Sequence, residues 1–174
     1  MISAFSYIIE ANLNRSNEKF IPIYKEIEYI KSYKFLIQKR FGKKIEFNLA
    51  VAEDTLNNIL PKLLIQPIIE NTIYHGLEMK KGGGKVDITI KKEKNQLIIT
   101  LADDGLGIEK NKLLALIEAM SDDKFSEAEN ILDNSKIGII NVHRRIRLLY
   151  GKDYGLKIES KEGIDRKSTR LNSS

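Results

Sequence analysis

Residues 61–77 read PKLLIQPIIENTIYHGL, and this stretch predicts a helix that packs on a sheet. Its apolar residues recur at intervals of three and four, which is typical of a helix with one buried face. The predicted buried positions are Ile65, Ile68, Ile69, Thr72, Ile73 and Gly76. We expect this face to pack on a sheet, where Gly76 permits the close approach of another backbone segment.

The segments on either side of this helix predict the sheet and further helices. Period-two alternation of apolar and polar residues, typical of half-buried strands, occurs at residues 45–51, 86–91 and 156–160. Residues 97–102 are apolar enough for a buried central strand paired with the one before it. Further helices are predicted at residues 111–120, 126–132 and 138–150. The order of elements predicts an α+β fold with helices layered on one sheet.

Both ends of the chain are predicted to differ from this central domain. Residues 2–41 carry helical apolar spacing, with Pro22 in the first turn of a second helix, so residues 1–42 are predicted to form a helical arm before a domain spanning residues 43–164. The arm's apolar positions are Ile27, Ile30, Tyr33, Phe35 and Ile37. Residues 165–174 have no apolar period and are predicted to be a non-native or disordered tail, although they stand where such a sheet would receive one more strand.

Composition excludes several classes of protein. The 174 residues include no cysteine and only two histidines, which excludes a disulfide framework and leaves little for a zinc centre. The net charge is +5, but 29 basic residues are interleaved with 24 acidic ones, so we expect no nucleic-acid partner. No window approaches eighteen consecutive apolar residues and no signal peptide pattern is present, which predicts a cytoplasmic location.

The first segment with chemical potential is the polar edge of the helix in residues 61–77. Glu70 and Tyr74 are four residues apart, as are Asn71 and His75. This spacing places a carboxylate, an amide, a phenol and an imidazole along one edge, where they could line a cleft. An amide oxygen suits Mg²⁺, which takes its other ligands from water and phosphates. The alternative is a solvated polar stripe on an amphipathic helix.

The second segment is ADDGLGI at residues 102–108. A carboxylate at the end of the buried strand, such as Asp103, can accept a hydrogen bond from an exocyclic amine. Gly105 and Gly107 allow the backbone to approach a flat ring closely. An ordinary Asp-Gly turn is the alternative.

The third segment is SKIGIINVHRRIRLLYG at residues 135–151, with a glycine at the predicted helix start. Free N–H groups there, together with Lys136, would form a seat for phosphate. The predicted buried face is Ile139, Val142, Ile146 and Leu149, and the predicted solvated face is His143, Arg144 and Arg147. For these arginines, the alternative is a plain surface face.

In this order and at roughly this spacing, the three segments resemble the N box and the two glycine boxes of the GHKL superfamily. Leu64-Ile65-Gln66-Pro67, Glu70-Asn71, His75-Gly76, Ile137-Gly138, Asn141-Val142 and Arg145 resemble the sensor histidine kinases of the LytS/YesM type. The resemblance covers about residues 19–163 and implies a Bergerat-type pocket for ATP, between a mixed β-sheet and a helical layer in a two-layer sandwich. Residues 109–134 would form its mobile lid.

The resemblance also implies roles for individual residues. Asn71 would coordinate Mg²⁺, Asp103 would bind the adenine amino group, and Glu70 would orient a water molecule or polarise the γ-phosphate region. Gly105 and Gly107 would shape the adenine wall. The expected nucleotide contacts also include Tyr74, His75, Ile108, Lys136, Ile137 and Gly138, the last of which would free the lid.

Departures from the family pattern are few. Tyr74 stands where a lysine is frequent, and Lys136 stands where a glycine is frequent. The family's phosphoacceptor histidine is expected before residue 1. The implied partners are therefore a phosphoacceptor histidine region of the same or a partner kinase chain and a response regulator. The resemblance also implies a full-length homodimer anchored in the bacterial inner membrane.

Two alternatives stay open at this point. The chain could be another GHKL ATPase, or a serine kinase acting on an anti-sigma partner. It could also be a non-catalytic docking module whose helical arm, residues 2–41, binds a partner protein or dimerises through Ile27, Ile30 and Ile37.

Overall fold

The computed structural model describes residues 19–78, 80–94, 96–121, 134–160 and 167–173. Its helices are α1 (Ile23–Phe41), α2 (Gln66–Asn71), α3 (Lys110–Ser121) and α4 (Asn134–Tyr150). Its strands are β1 (Phe20–Pro22), β2 (Ile45–Val51), β3 (Ile59–Pro61), β4 (Gly84–Glu93), β5 (Gln96–Asp103), β6 (Gly155–Glu159) and β7 (Lys167–Ser173). Short 3₁₀ turns occupy Gly42–Lys44 and Glu53–Thr55, and α2 continues as a π-helical segment, Thr72–Leu77.

Five strands form one mixed sheet in the order β2-β4-β5-β7-β6. Strands β2 and β4 run parallel, and every other neighbouring pair in this sheet is antiparallel. In the register of β4 and β5, Val86 lies opposite Asp103 and Ile90 lies opposite Ile99. The α+β fold with a mixed sheet is confirmed, and Asp103 ends a central strand as expected.

The isoleucine face of residues 61–77 is buried as predicted. Ile65, Ile68, Ile69 and Ile73 are at most 3% exposed and belong to the main hydrophobic core. Strands β4 and β5 supply much of the rest of that core, through Val86, Ile88, Ile90, Leu97, Ile99 and Leu101. Burial of this face fixes which edge of the helix remains for polar chemistry.

Helix α1 belongs to the same core. Ile27, Ile30 and Ile37 are 6%, 0% and 3% exposed, whereas Phe35 is 38% exposed. Dimerisation through these three isoleucines is therefore excluded, because the chain's own core already covers them. The rest of the predicted arm, residues 2–18, lies outside the described residues, and the division at residue 42 stays a prediction.

Several element boundaries differ from the prediction. Residues 20–22 form β1, which pairs with β3, and Pro22 lies immediately before α1. The helix predicted from Pro61 begins at Gln66, because Leu63 has a positive φ of 59° that a helix cannot contain. Helix α4 begins at Asn134, four residues before Gly138. The predicted helix at residues 126–132 lies outside the described residues.

The C-terminal segment also differs from the prediction. Residues 167–173, expected to lie outside the fold, form β7 between β5 and β6. Strand pairing needs only backbone N–H and C=O groups, so a segment without apolar periodicity can fill a gap between two strands. The non-native origin of residues 165–174 stays a prediction.

Candidate nucleotide-binding site

Asn71 lies where the first and third predicted segments meet. It is the last residue of α2 and is 6% exposed. Its Oδ1 accepts a hydrogen bond of 3.0 Å from Nζ of Lys136 in the first turn of α4. Lys136 is itself 7% exposed. The amide oxygen expected to face a cation therefore already lies beside a buried ammonium group.

Asp103 lies where the first and second segments meet. The carboxylate is 3% exposed, and its Oδ1 accepts a hydrogen bond of 2.9 Å from the Gly105 N–H. The N–H of Leu106 donates to the carbonyl of Gly76 at 3.0 Å. Gly76, which was predicted to permit the close approach of another backbone segment, is approached by Leu106, next to the residues that surround Asp103.

This junction has little room for side chains at its two glycines. A Cβ atom on Gly105 would lie 2.6 Å from Asp103 Oδ1 and 2.7 Å from the Gly76 carbonyl oxygen, closer than real atoms pack. A Cβ atom on Gly76 would lie 3.1 Å from the same carboxylate oxygen. The two glycines thus form a side-chain-free wall around a buried acceptor, which suits a flat ring carrying an amino group.

The neighbouring acid, Asp104, has a different role. Its Oδ1 accepts a hydrogen bond of 2.6 Å from the Lys85 N–H, and its Oδ2 lies 3.3 Å from Nζ of Lys80. These contacts fasten the end of β5 to the start of β4. Of the two acids, the sequence selected Asp103, and the structure buries that one while Asp104 stays half-buried.

Gly107 and Ile108 complete the second segment. Gly107 has a φ of 74°, a conformation that favours glycine. Ile108 is 6% exposed, and its N–H donates to Ser160 Oγ at 2.8 Å. Its side chain contributes to the core beneath the glycine turn.

The start of α4 corrects the predicted phosphate seat. Because the helix begins at Asn134, Gly138 is its fifth residue, and the free N–H groups of its first turn belong to residues 134–137. That turn includes Lys136 and Ile137. A Cβ atom on Gly138 would lie 3.7 Å from Pro67 Cβ, an ordinary contact. Gly138 therefore lies beside the start of α2, and the space around it would accommodate a side chain.

Glu70 precedes Asn71 and is half-buried. Its Oε1 accepts hydrogen bonds from Gln66 Nε2 at 2.7 Å and from Tyr29 Oη at 3.2 Å. Sequence reasoning did not connect Tyr29 with this site. The only signal was the helical spacing that places residue 29 on the buried side of α1, which does not identify the partner of its hydroxyl.

Tyr74 and His75 face outward. Tyr74 is 41% exposed, with its ring centroid 5.8 Å from the Arg40 guanidinium. His75 is also exposed. The structure thus buries Asn71, Asp103 and Lys136, of which Asn71 and Lys136 are in contact, and leaves Tyr74 and His75 exposed.

The predicted solvated face of α4 is partly wrong. His143 is only 9% exposed, and its Nδ1 accepts the Leu156 N–H at 3.0 Å. Burial, assisted by the Arg147 charge, lowers the pKa of His143 below its ordinary value. Arg147 donates to a backbone carbonyl near the end of α3, and Leu149, predicted to be buried, is 45% exposed. Contact with both α3 and β6 gives α4 a broader buried face than one apolar stripe indicates.

No group of three or more metal-ligating side chains occurs among the residues that the structure describes. A cation at Asn71 would take its remaining ligands from phosphate oxygens and water, as Mg²⁺ commonly does. Within the same described ranges, no helix is long and apolar enough to cross a membrane.

Comparison with known proteins gives a consistent result. Residues 57–170 match the family described as histidine kinase-, DNA gyrase B-, and HSP90-like ATPase. The sensor histidine kinase YpdA of Escherichia coli K12 is 36% identical over 162 residues, which are 93% of this chain and 26% of YpdA. The sensor protein LytS of Oceanobacillus iheyensis is 32% identical over 155 residues, 89% of this chain and 26% of LytS. The chain spans about a quarter of the length of these curated relatives.

Solved structures share the fold. The histidine kinase domain of the blue-light activated kinase EL346 from Erythrobacter litoralis has a TM-score of 0.58 at 13% identity, covering 97% of this chain and 79% of that one. The catalytic domain of histidine kinase ThkA has a TM-score of 0.58 at 15% identity, covering 88% and 97%. At such low identity, these likenesses concern the fold alone.

Proposed function

Since the chain belongs to the histidine kinase-, DNA gyrase B-, and HSP90-like ATPase family, we propose that it binds Mg·ATP and transfers the γ-phosphoryl group to a histidine of a sensor kinase. The relatives YpdA and LytS bear out the resemblance to sensor histidine kinases of the LytS/YesM type. The proposed reaction is a step of two-component signal transduction.

The observation that carries the proposal is that the first segment contacts both of the others, the third through Asn71 and Lys136, and the second through Gly76, beside Asp103. A buried carboxylate surrounded by glycines would accept the adenine amino group. A buried amide oxygen beside an ammonium and the first turn of α4 would receive the phosphates. Polar groups are seldom buried together without a ligand or structural network that uses them.

Phosphoryl transfer asks the protein mainly for positioning and for neutralisation of charge. Asn71 would hold Mg²⁺ through its amide oxygen, and the metal would supply positive charge to offset that of the phosphates. Lys136 would donate to a phosphate oxygen, and Glu70 would polarise the region of the γ-phosphate. In the reaction, the bond from the γ-phosphorus to the bridging oxygen breaks, a phosphorus–nitrogen bond to the histidine forms, ADP leaves, and the imidazole proton passes to a base.

The same proposal includes the partners. The acceptor would be a phosphoacceptor histidine region of the same or a partner chain, and a response regulator would receive the phosphoryl group next. The parent protein would act as a homodimer, with this domain in the cytoplasm of a membrane-anchored sensor.

Titration with a fluorescent ATP analogue, with and without Mg²⁺, tests the site. Asp103→Asn is expected to weaken binding about tenfold or more, because it replaces a buried acceptor of a charged hydrogen bond. Asn71→Ala is expected to remove the dependence on Mg²⁺. Asp104→Asn is the matched control and should retain affinity, since that carboxylate serves the backbone of β4. Equal affinity of wild type and Asp103→Asn would contradict the assignment.

A further inference from the structure

Helix α1 lies alongside α2 and its π-helical extension and makes polar contacts along their length. Glu26 Oε1 accepts the Leu63 N–H at 2.8 Å, just before α2 begins. Arg40 donates to Glu78 Oε1 at 2.6 Å, just after the π-helical segment ends. Later residues of α1 contact later residues of the second segment, so the two helices run side by side in the same direction. The Tyr29–Glu70 contact lies between these two end contacts.

Tyr29 is held rigidly within this interface. It is 4% exposed, and its ring stacks on that of Tyr33 with centroids 6.1 Å apart and planes 11° apart. Burial and the Glu70 carboxylate raise the pKa of Tyr29 far above its ordinary value. The phenol therefore stays protonated and acts as the donor in its hydrogen bond to Glu70.

Two donors meet on one oxygen of Glu70. Gln66 reaches Oε1 from one turn earlier in α2, and Tyr29 reaches the same atom from α1. Gln66 is 8% exposed, so both donors come from the protein interior. The contact from Gln66 moves with α2, whereas the contact from Tyr29 depends on where α1 lies. The orientation of Glu70, next to Asn71, is thus tied to α1.

We propose that Tyr29 is a positioning residue for Glu70, through which helix α1 sets the geometry at the γ-phosphate end of the site. This inference rests on the proposed function, because it assigns Glu70 to the phosphate region. If Glu70 does not act on the phosphates, the Tyr29–Glu70 hydrogen bond is a structural contact with no effect on the bound nucleotide.

The test compares binding of Mg·ADP with binding of Mg·ADP plus aluminium fluoride, a mimic of the transferring phosphoryl group. Transition-state mimics bind at least about a hundredfold more tightly where a site is organised for transfer. Tyr29→Phe removes only the hydroxyl. We expect it to leave the Kd for Mg·ADP unchanged and to reduce the gain from aluminium fluoride about tenfold, the usual scale for a hydrogen bond to a charged group. Tyr24→Phe, an exposed tyrosine on the same helix, is the matched control and should keep the full gain.

A double variant separates positioning from a general structural effect. If Tyr29 acts through Glu70, then Tyr29→Phe should cause no further loss of the gain in the Glu70→Gln background. Urea unfolding monitors the fold of each variant. If Tyr29→Phe does not fold, Tyr29→Met carries the same comparison with a side chain that adapts to gaps.

The outcomes distinguish the two proposals. If the wild-type chain binds no Mg·ADP, the proposed function fails. Three results would overturn the positioning role while the nucleotide site stands. The wild-type chain could bind Mg·ADP with no gain in affinity from aluminium fluoride, or Tyr29→Phe could keep the whole gain in affinity. The losses of this gain in Tyr29→Phe and Glu70→Gln could also add in the double variant.

Discussion

Glu26 provides a pH-dependent test of how α1 is attached. It is 2% exposed, and its Oε1 accepts the Leu63 N–H. Burial raises the pKa of this carboxyl from 4.5 to about 7, against the opposing effects of the Leu63 and Leu64 N–H groups and the charges of Arg145 and Lys62. Oε2 makes no hydrogen bond within the described part of the chain, which fits the dominance of desolvation.

The sign of the effect follows from proton binding. Between pH 4.5 and about 7, the folded chain holds the Glu26 proton while the unfolded chain has lost it. Stability is therefore highest below this window and falls as the pH rises through it. The difference between the two pKa values corresponds to roughly 3 kcal/mol, at about 1.4 kcal/mol per pH unit. About 2–3 kcal/mol of this loss should appear between about pH 5 and pH 8.

Urea unfolding of wild type and Glu26→Gln at several pH values measures this effect. The variant keeps the size of the side chain but cannot ionise, so the free-energy difference between the two proteins should change by about 2–3 kcal/mol in favour of the variant as the pH rises. The comparison cancels other groups, including His143, whose lowered pKa acts oppositely and removes stability as the pH falls. Glu28→Gln, exposed on the same helix, should follow wild type. A constant difference between wild type and Glu26→Gln across this range would refute the reasoning.

Two further predictions concern single contacts. Gly105→Ala should lower the free energy of unfolding by about 1–3 kcal/mol and abolish nucleotide binding, because the new Cβ would lie 2.6 Å from Asp103 Oδ1. Gly138→Ala is the control, since that glycine has ordinary packing space inside a helix, and it should be neutral or stabilising by up to about 1 kcal/mol. Equal losses of stability for the two variants in thermal unfolding would contradict the steric argument. Arg40→Gln should lower the free energy of unfolding by less than about 1 kcal/mol despite the 2.6 Å contact with Glu78, because the two side chains are 53% and 28% exposed to solvent. A larger decrease, measured by urea unfolding, would show that Arg40 has a role beyond this ion pair.

The sequence predicted the parts of the fold that follow from local periodicity. The strand at residues 45–51 and the isoleucine face of residues 61–77 agree with the structure because a single buried side sets each pattern. The predicted start of α4 at Gly138 is wrong, because the helix begins at Asn134 and continues through that glycine. Periodicity identifies buried faces better than ends, since the ends depend on capping and neighbours.

The candidate site was predictable in outline. Its three segments could be found from residue types, and the structure brings Asn71, Asp103 and Lys136 from them into the interior. The contact between Tyr29 and Glu70 joins residues 41 positions apart and leaves no pattern in a single sequence. The same holds for His143, whose burial depends on the strand that follows α4.

The shared core of α1 and the sheet has a practical consequence for building fusion proteins from this domain. A junction placed at Gly42, where the helix ends, would strip Ile23, Ile27 and Ile30 from the domain and leave an apolar cleft prone to aggregation. A junction placed ahead of Phe20 would transfer the helix together with its hydrogen bonds to α2. A segment fused at that upstream point would be joined to the domain through a helix that stays packed in its own core.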